Sequence, residues 1–227
     1  MKPAHTNRYF DVELRELRSN LTAMGARCER ALQLAVAAFL ERDAEKAAEA
    51  AALDARIDRD QVEIDELALR ILALRQPVAY DLRFLATTLK FVTDLERIGD
   101  KATSIAKRAR DVSGAALLPP HEDILPLSQK VLALLRDAID AFVEGDVDKA
   151  ERVLAAGHEI DALAKPLTAR IVAWMAEHPT DIPAALAVMS VARQLKRVAD
   201  HATNLAEQAV FMVRGEDVRY QRGPAAP

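Results

Sequence analysis

Apolar residues recur at spacings of three and four positions along nearly the whole chain, a pattern typical of amphipathic α-helices. The stripe of the first predicted helix, over residues 9–41, contains Leu14, Leu17, Leu21, Met24 and Cys28. Similar stripes predict five further helices, over residues 43–74, 81–112, 123–144, 146–177 and 181–214. Asp43 has the residue type of an N-cap, and Pro77 separates the second helix from the third because proline disfavours helix at the residue before it.

An internal repeat divides these helices into two sets of three. The segment FLERDAEKA (39–47) matches FVEGDVDKA (142–150), and LERIGDKATSIAK (95–107) matches LKRVADHATNLAE (195–207). We therefore expect an all-α fold of two tandem antiparallel three-helix bundles. The predicted organisation is a first bundle (1–114), a proline-rich linker (115–122), a second bundle (123–214) and a tail (215–227), frayed over 221–227.

Composition narrows the class of protein. The net charge is −4, from 31 basic and 35 acidic residues, which disfavours nucleic-acid binding. Cys28 is the single cysteine, so an intrachain disulfide is excluded and a reducing compartment is favoured. Uncharged runs fall short of the ~20 residues that span a bilayer. We expect a soluble, cytoplasmic protein.

The candidate chemistry is acidic. Glu96 and Asp100 lie one turn apart on the third predicted helix and share a face. On the second helix, Asp54, Asp58 and Asp65 flank the apolar stripe in the same manner. If these helices pack antiparallel, the five carboxylates gather along one seam, where a hard cation would relieve their repulsion. Mg²⁺, Mn²⁺, iron and zinc are not distinguished by these residue types.

The repeat gives the second half a weaker version of this seam. Asp161 and Asp200 are equivalent to Asp58 and Asp100, and we predict them as metal ligands too. The other three acids are replaced by Gly157, Thr168 and Lys196. Lys196 is expected to pair with Asp161 or Asp200 and to substitute for a cation. We therefore expect the first half to bind metal more strongly.

A second constellation lies in the turn RQPVAYDLR at residues 75–83. Asp81 is well placed as the N-cap of the third helix, and the turn allows an ion pair between Arg75 and Asp81. A role of Arg75, Asp81 and Arg83 in binding a partner is the alternative to this structural interpretation.

Taken in order along the chain, several motifs resemble the PhoU family of phosphate-signalling proteins. They are HTNRYFDVELRELRSNLTAMG, RQPVAYDLRFLATTLKFVTDLERIGDKA, LKRVADHATNLAE and FMVRGEDVRY, and they cover almost the whole chain. The resemblance implies two three-helix bundles, each with a Glu/Asp-x-x-x-Asp metal motif. It also implies a cytoplasmic, frequently homodimeric negative regulator of the phosphate-starvation response. Such a regulator links the ATPase subunit of the phosphate ABC transporter to a membrane sensor histidine kinase, and meets the membrane only through these partners.

Carried over residue by residue, the first family motif is matched by Glu96 and Asp100, and the second departs at Lys196 and Ala199 before reaching Asp200. The family's aspartates on the preceding helix map to Asp58 and Asp161. The complete RQP-DLR turn favours a partner-binding role for Asp81, Arg83 and Arg75.

Two other functions remain open from the residues alone. One is a metal-dependent enzyme built on the carboxylate seam, and the other is a metal-free helical scaffold. The chain has no glycine-rich phosphate loop, no HExxH and no CxxC motif, and none of its five histidines is placed to act as a base. We therefore predict a protein without enzymatic activity.

Overall fold

A computed structural model describes residues 8–112 and 118–218 of the chain. Its six long helices are α1 (Arg8–Glu41), α2 (Ala44–Arg75), α3 (Ala79–Asp111), α4 (Ile124–Glu144), α5 (Val147–Glu177) and α6 (Ile182–Arg214). Short 3₁₀ helices precede α4 (Pro119–Asp123, in the segment predicted as a linker) and α6 (Pro179–Asp181). No strand occurs in the described ranges, so the all-α prediction is confirmed. Residues 113–117, which include the end of the predicted first bundle and the start of the predicted linker, lie outside the described residues, as does the predicted frayed tail.

Equivalent aspartates begin the second helix of each half. Asp43 Oδ1 accepts hydrogen bonds from the backbone N–H groups of Glu45 (2.9 Å) and Lys46 (3.0 Å). Asp146 Oδ1 accepts one from the N–H of Lys149 (2.9 Å). Both aspartates have the extended backbone of an N-cap, so the predicted start of α2 at Asp43 is confirmed.

The predicted N-cap role of Asp81 is wrong. Helix α3 begins two residues earlier, at Ala79, and its N-cap is Val78, which makes no side-chain capping bond. The N–H of Asp81 already bonds to the carbonyl of Val78 (3.2 Å), so this residue lies inside the first helical turn. Asp81 as a whole residue is 7% exposed, and it lies at the positive end of the helix dipole.

Each half, α1–α3 and α4–α6, is a three-helix bundle in which every helix packs against the other two. The halves also contact each other, through α3 against α6 and α1 against α4. A single hydrophobic cluster runs through all six helices. Phe142 of α4 stacks on Phe91 of α3, with ring centroids 4.0 Å apart, so the aromatic centre of this core lies between the halves.

The cores of both bundles are apolar, although some large apolar side chains, among them Tyr9, Leu74 and Val78, are exposed. The described helices contain no stretch that is long and apolar enough to cross a membrane.

Candidate functional site

The first seam consists of four carboxylates that flank the contact between α2 and α3. Gly99 of α3 lies against Ile57 of α2, and a Cβ at Gly99 would be 3.1 Å from Ile57 Cδ1. This close approach places the residues beside Ile57 and Gly99 along a common edge. The four carboxylates on that edge are Asp54, Asp58, Glu96 and Asp100.

Electrostatics show that these four acids act on one another. Burial, together with the charges of Asp58 and Asp100, raises the pKa of Asp54 above its ordinary value. Burial, followed by the charges of Asp100 and Asp58, raises the pKa of Glu96. Repulsion across the interface between two helices is therefore built into the first seam, as its spacing predicts.

Asp65 lies apart from the first seam. Burial alone raises the pKa of Asp65, with no contribution from the other four acids. Its Oδ1 is buried and has no hydrogen-bond partner within the described part of the chain. The structure thus brings together four of the five acids predicted to gather here.

Two basic residues of α3 partly neutralise the first seam. Arg97 is 3.5 Å from Glu96 and 3.4 Å from Asp100, and Lys101 reaches to 4.0 Å from Asp100. Over residues 8–112 and 118–218, no three His, Cys, Asp or Glu side chains are already arranged to hold a metal ion. The oxygen donors of the seam nevertheless suit a hard cation chemically, and binding would require the carboxylates to turn toward a common point.

The second seam is the equivalent contact between α5 and α6, with Asp161 and Asp200, and it contains a positively charged side chain, Lys196. Lys196 of α6 donates to Asp200 one turn along the same helix, and its Nζ lies 2.9 Å from Asp161 Oδ1 on α5. The expected pairing of Lys196 is therefore confirmed, with both aspartates instead of one. Burial lowers the pKa of Lys196, but its bonds to Asp200 and Asp161 outweigh burial and raise the pKa above its ordinary value.

Two further acids of the first half, Asp54 and Asp65, have no acidic counterparts in the second half. Thr168, equivalent to Asp65, donates its hydroxyl to the carbonyl of Ala164 in its own helix (2.9 Å). At Gly157, equivalent to Asp54, an added Cβ would lie 2.6 Å from Thr203 Cγ2. Helices α5 and α6 are thus too close at this point for any larger residue without a shift.

The arginines of the predicted partner-binding turn are engaged within the chain. Arg75 forms two hydrogen bonds with Glu13 of α1, at 2.8 and 2.9 Å, and does not pair with Asp81. Arg83 donates to the carbonyls of Met212 (2.9 Å) and Val213 (3.2 Å) at the end of α6. A docking role for Arg75, Asp81 and Arg83 stays a prediction.

One polar network, centred on Asp94, was not predicted from the sequence. Asp94 of α3 accepts hydrogen bonds from Gln208 Nε2 (2.6 Å) and Asn204 Nδ2 (3.5 Å), and its Oδ1 lies 2.8 Å from His201 Nδ1. These three partners share one face of α6, and their spacing is the only signal in the sequence. The partners lie more than 100 positions from Asp94, so the network depends on how the halves pack together.

These features define a class: a duplicated three-helix-bundle protein with a seam of four carboxylates in the first half and a seam of two aspartates paired with a lysine in the second. The family model described as the PhoU domain matches residues 21–109 and again residues 124–209. The chain belongs to the PhoU family, and the two matches correspond to the two halves.

Similar proteins are found among both curated sequences and solved structures. The phosphate-specific transport system accessory protein PhoU homolog of Pseudomonas putida is 39% identical over 217 residues, covering 95% of this chain and 85% of the relative. The corresponding Escherichia coli protein is 30% identical over 219 residues, covering 96% and 91%. The crystal structure of PhoU from Pseudomonas aeruginosa matches with a TM-score of 0.88 at 35% identity, covering 91% of this chain and all of that one.

Proposed function

We propose that this protein is a non-enzymatic, cytoplasmic accessory regulator of phosphate uptake that negatively regulates the phosphate-starvation response. The observation that carries this proposal is the family match over both halves, with relatives named as accessory proteins of the phosphate-specific transport system. The crystal structure of the phosphate transport system regulatory protein PhoU from Streptococcus pneumoniae, similar with a TM-score of 0.84 at 29% identity, supports the same role.

In this proposal the protein acts by contact, as a homodimer that links the transporter's ATPase subunit to a sensor histidine kinase. The names of the relatives, which are accessory proteins of a transport system, support a regulator over an enzyme. Among the described residues, Arg97 and Lys101 pair with carboxylates of the first seam. The turn that contains Arg75, Asp81 and Arg83 remains the candidate docking surface.

We further propose that the first seam holds a divalent or iron-type cation. Asp54, Asp58, Glu96 and Asp100 would supply the oxygen ligands, and a bound cation would neutralise charges that now repel one another. The raised pKa values of Asp54 and Glu96, which follow from burial and from neighbouring carboxylates, support this assignment. The cation would fix α2 against α3 and thereby shape the surface that partners meet.

Deletion of the gene in its own host tests the regulatory role. In phosphate-rich medium, the deletion strain should express a phosphate-starvation reporter strongly, and a plasmid copy of the gene should restore repression. Tagged protein should retain the transporter ATPase subunit and the kinase when the cells are lysed. A deletion strain that stays fully repressed, with the protein verified in the parent, would contradict the regulatory role.

Elemental measurement of the purified protein tests the metal. We expect Glu96→Ala/Asp100→Ala to lose most of the bound metal, and Asp161→Ala/Asp200→Ala to retain it. The second pair is a matched control, since it removes two acids at equivalent positions of α5 and α6. A protein purified without chelator that holds no metal, and that binds none on titration with Mn²⁺, would favour the metal-free scaffold.

A further inference from the structure

We propose that Lys196 is a tethered cation that takes the place of a metal ion in the second half, so that this half is stable without metal. The inference rests on the proposed metal site of the first half for its comparison, but its own contacts come entirely from the second seam. In this proposal the first half needs a metal ion for full stability and the second half does not, although both have the same fold.

The position of the ammonium group is the first argument. Lys196 is equivalent in the repeat to Glu96, so a cation stands where the first half has a ligand. Its Nζ contacts Asp161 on α5 and Asp200 on α6 and therefore bridges the same two helix positions that a metal would join in the first seam. Two carboxylates and one ammonium leave a net charge of −1, whereas the four carboxylates of the first seam with Arg97 and Lys101 leave −2 when all are ionised.

The second argument is independent of charge. The site of the missing acid at Gly157 is filled by the Cγ2 methyl of Thr203, which lies 2.6 Å from the place of a Cβ. The hydroxyl of Thr203 donates to the carbonyl of Asp200 (2.7 Å), which holds the methyl in this position. A ligand equivalent to Asp54 therefore has no space in the second seam.

The third argument concerns the oxygen atoms that a metal would need. Lys196 already occupies one oxygen of Asp161 and one of Asp200. A divalent cation entering the second seam would meet a fixed positive charge and two engaged ligands. Both effects oppose binding, and the seam thus excludes the cation that its aspartates would otherwise attract.

Substitutions that exchange the charge between the halves test the proposal by thermal unfolding in chelator and in Mn²⁺. In chelator, Lys196→Met should lower the Tm by about 2–4 °C, because Asp161 and Asp200 are left to repel each other. Lys196→Arg should keep most of the Tm, since it retains the charge. Glu96→Lys should place an equivalent lysine in the first seam, and Mn²⁺ should then no longer raise the Tm of the protein.

Lys130→Met is the matched control, since exposed Lys130 pairs with one exposed carboxylate, Glu159 (3.0 Å), and should change the Tm by under about 1 °C. The proposal is overturned if, in chelator, the Tm of Lys196→Met is no lower than the Tm of Lys130→Met. It is also overturned if the wild-type protein holds a metal ion that Asp161→Asn/Asp200→Asn removes. A wild-type protein without any metal would overturn the first-seam site alone, because the drop in Lys196→Met does not depend on it.

Discussion

At the scale of single residues, Thr203 shows how one side-chain orientation decides what a neighbouring helix can carry. Its hydroxyl is held by the Asp200 carbonyl, so its methyl faces Gly157. In the first half the equivalent pair is Thr103 and Asp54, and α2 there carries a full aspartate side chain. The same residue type thus lies beside an aspartate in the first half and beside a glycine in the second.

Gly157→Ala should therefore destabilise the protein by about 1–3 kcal/mol through overpacking, although alanine gains about 1 kcal/mol of helix propensity over glycine. Adding Thr203→Ser should restore most of the loss, because serine keeps the hydroxyl bond and removes the methyl. Urea unfolding of the single and double variants measures this coupling.

Gly99→Ala is the comparison variant, since its new Cβ would be 3.1 Å from Cδ1 and 3.2 Å from Cγ2 of Ile57, both farther than the 2.6 Å contact at Gly157. Its cost should be smaller, and the repeat already has Ala199 at the equivalent position. If Gly157→Ala lowers the free energy of unfolding equally with threonine and with serine at position 203, the methyl of Thr203 is not the cause.

At the scale of elements, the contact between α2 and α3 combines apolar packing with repelling charge. Ile57 against Gly99 brings the helices close, and the same closeness raises the pKa of Asp54 and Glu96 through burial and neighbouring carboxylates. An acid whose pKa is raised on folding binds its proton more tightly in the folded state. Its contribution to stability is therefore complete below the ordinary pKa and is lost as the pH rises through the folded value.

Glu96→Gln should flatten the pH dependence of the free energy of unfolding between about pH 4 and the raised pKa of Glu96. In chelator at neutral pH, the variant should be slightly more stable than wild type, by a few tenths of a kcal/mol. Chemical unfolding at a series of pH values measures the difference between the two proteins. A steeper fall of stability with pH in the variant would contradict the assigned repulsion.

The elements themselves were largely predictable, since each depends on local sequence. The apolar stripes placed all six helices, and Asp43 caps α2 through N–H groups only two and three residues away. The predicted N-cap at Asp81 was wrong because α3 already begins at Ala79, two residues after Pro77. Ala79 has a positive φ of 48°. Such a conformation is sterically disfavoured for alanine and has no signature in the residue pattern.

At the scale of the whole molecule, arginines of the first half cover helix ends of the second. Arg18 of α1 donates to the carbonyl of Val143 near the end of α4 (2.7 Å) and stacks over Phe84 at 4.1 Å. Arg83 of α3 donates to two carbonyls at the end of α6. Cations satisfy otherwise unpaired carbonyls at helix C-termini and oppose the helix dipole.

Arg83→Lys should cost about 1–2 kcal/mol, because a lysine cannot donate to both carbonyls in the fork geometry of arginine. Hydrogen exchange should also quicken at the last turn of α6. Arg15→Lys is the control, since exposed Arg15 donates to the carbonyl of Asp11 within its own helix (3.2 Å) and to no helix end of the second half among the described residues. Unchanged exchange at residues 211–214 in Arg83→Lys would contradict the capping role.

How the two halves pack against each other could not be predicted from the sequence. The repeat predicts two similar bundles, but the Asp94 network, the arginine caps and the Phe91–Phe142 stack join residues separated by 51 to 130 positions. No local pattern specifies which faces of α3 and α6 meet. For the same reason, the spacing of the acids predicted the four that gather on α2 and α3 but could not show that Asp65 lies apart.

The fit of Thr203 against Gly157 also decides how the second half could be given the acids of the first. Gly157→Asp would set a Cβ 2.6 Å from Thr203 Cγ2 and would therefore be harmful by itself. Thr203 would have to change first, and that change alone adds no carboxylate. Packing thus makes the order of the substitutions matter, and placing one acid at position 157 takes two changes instead of one.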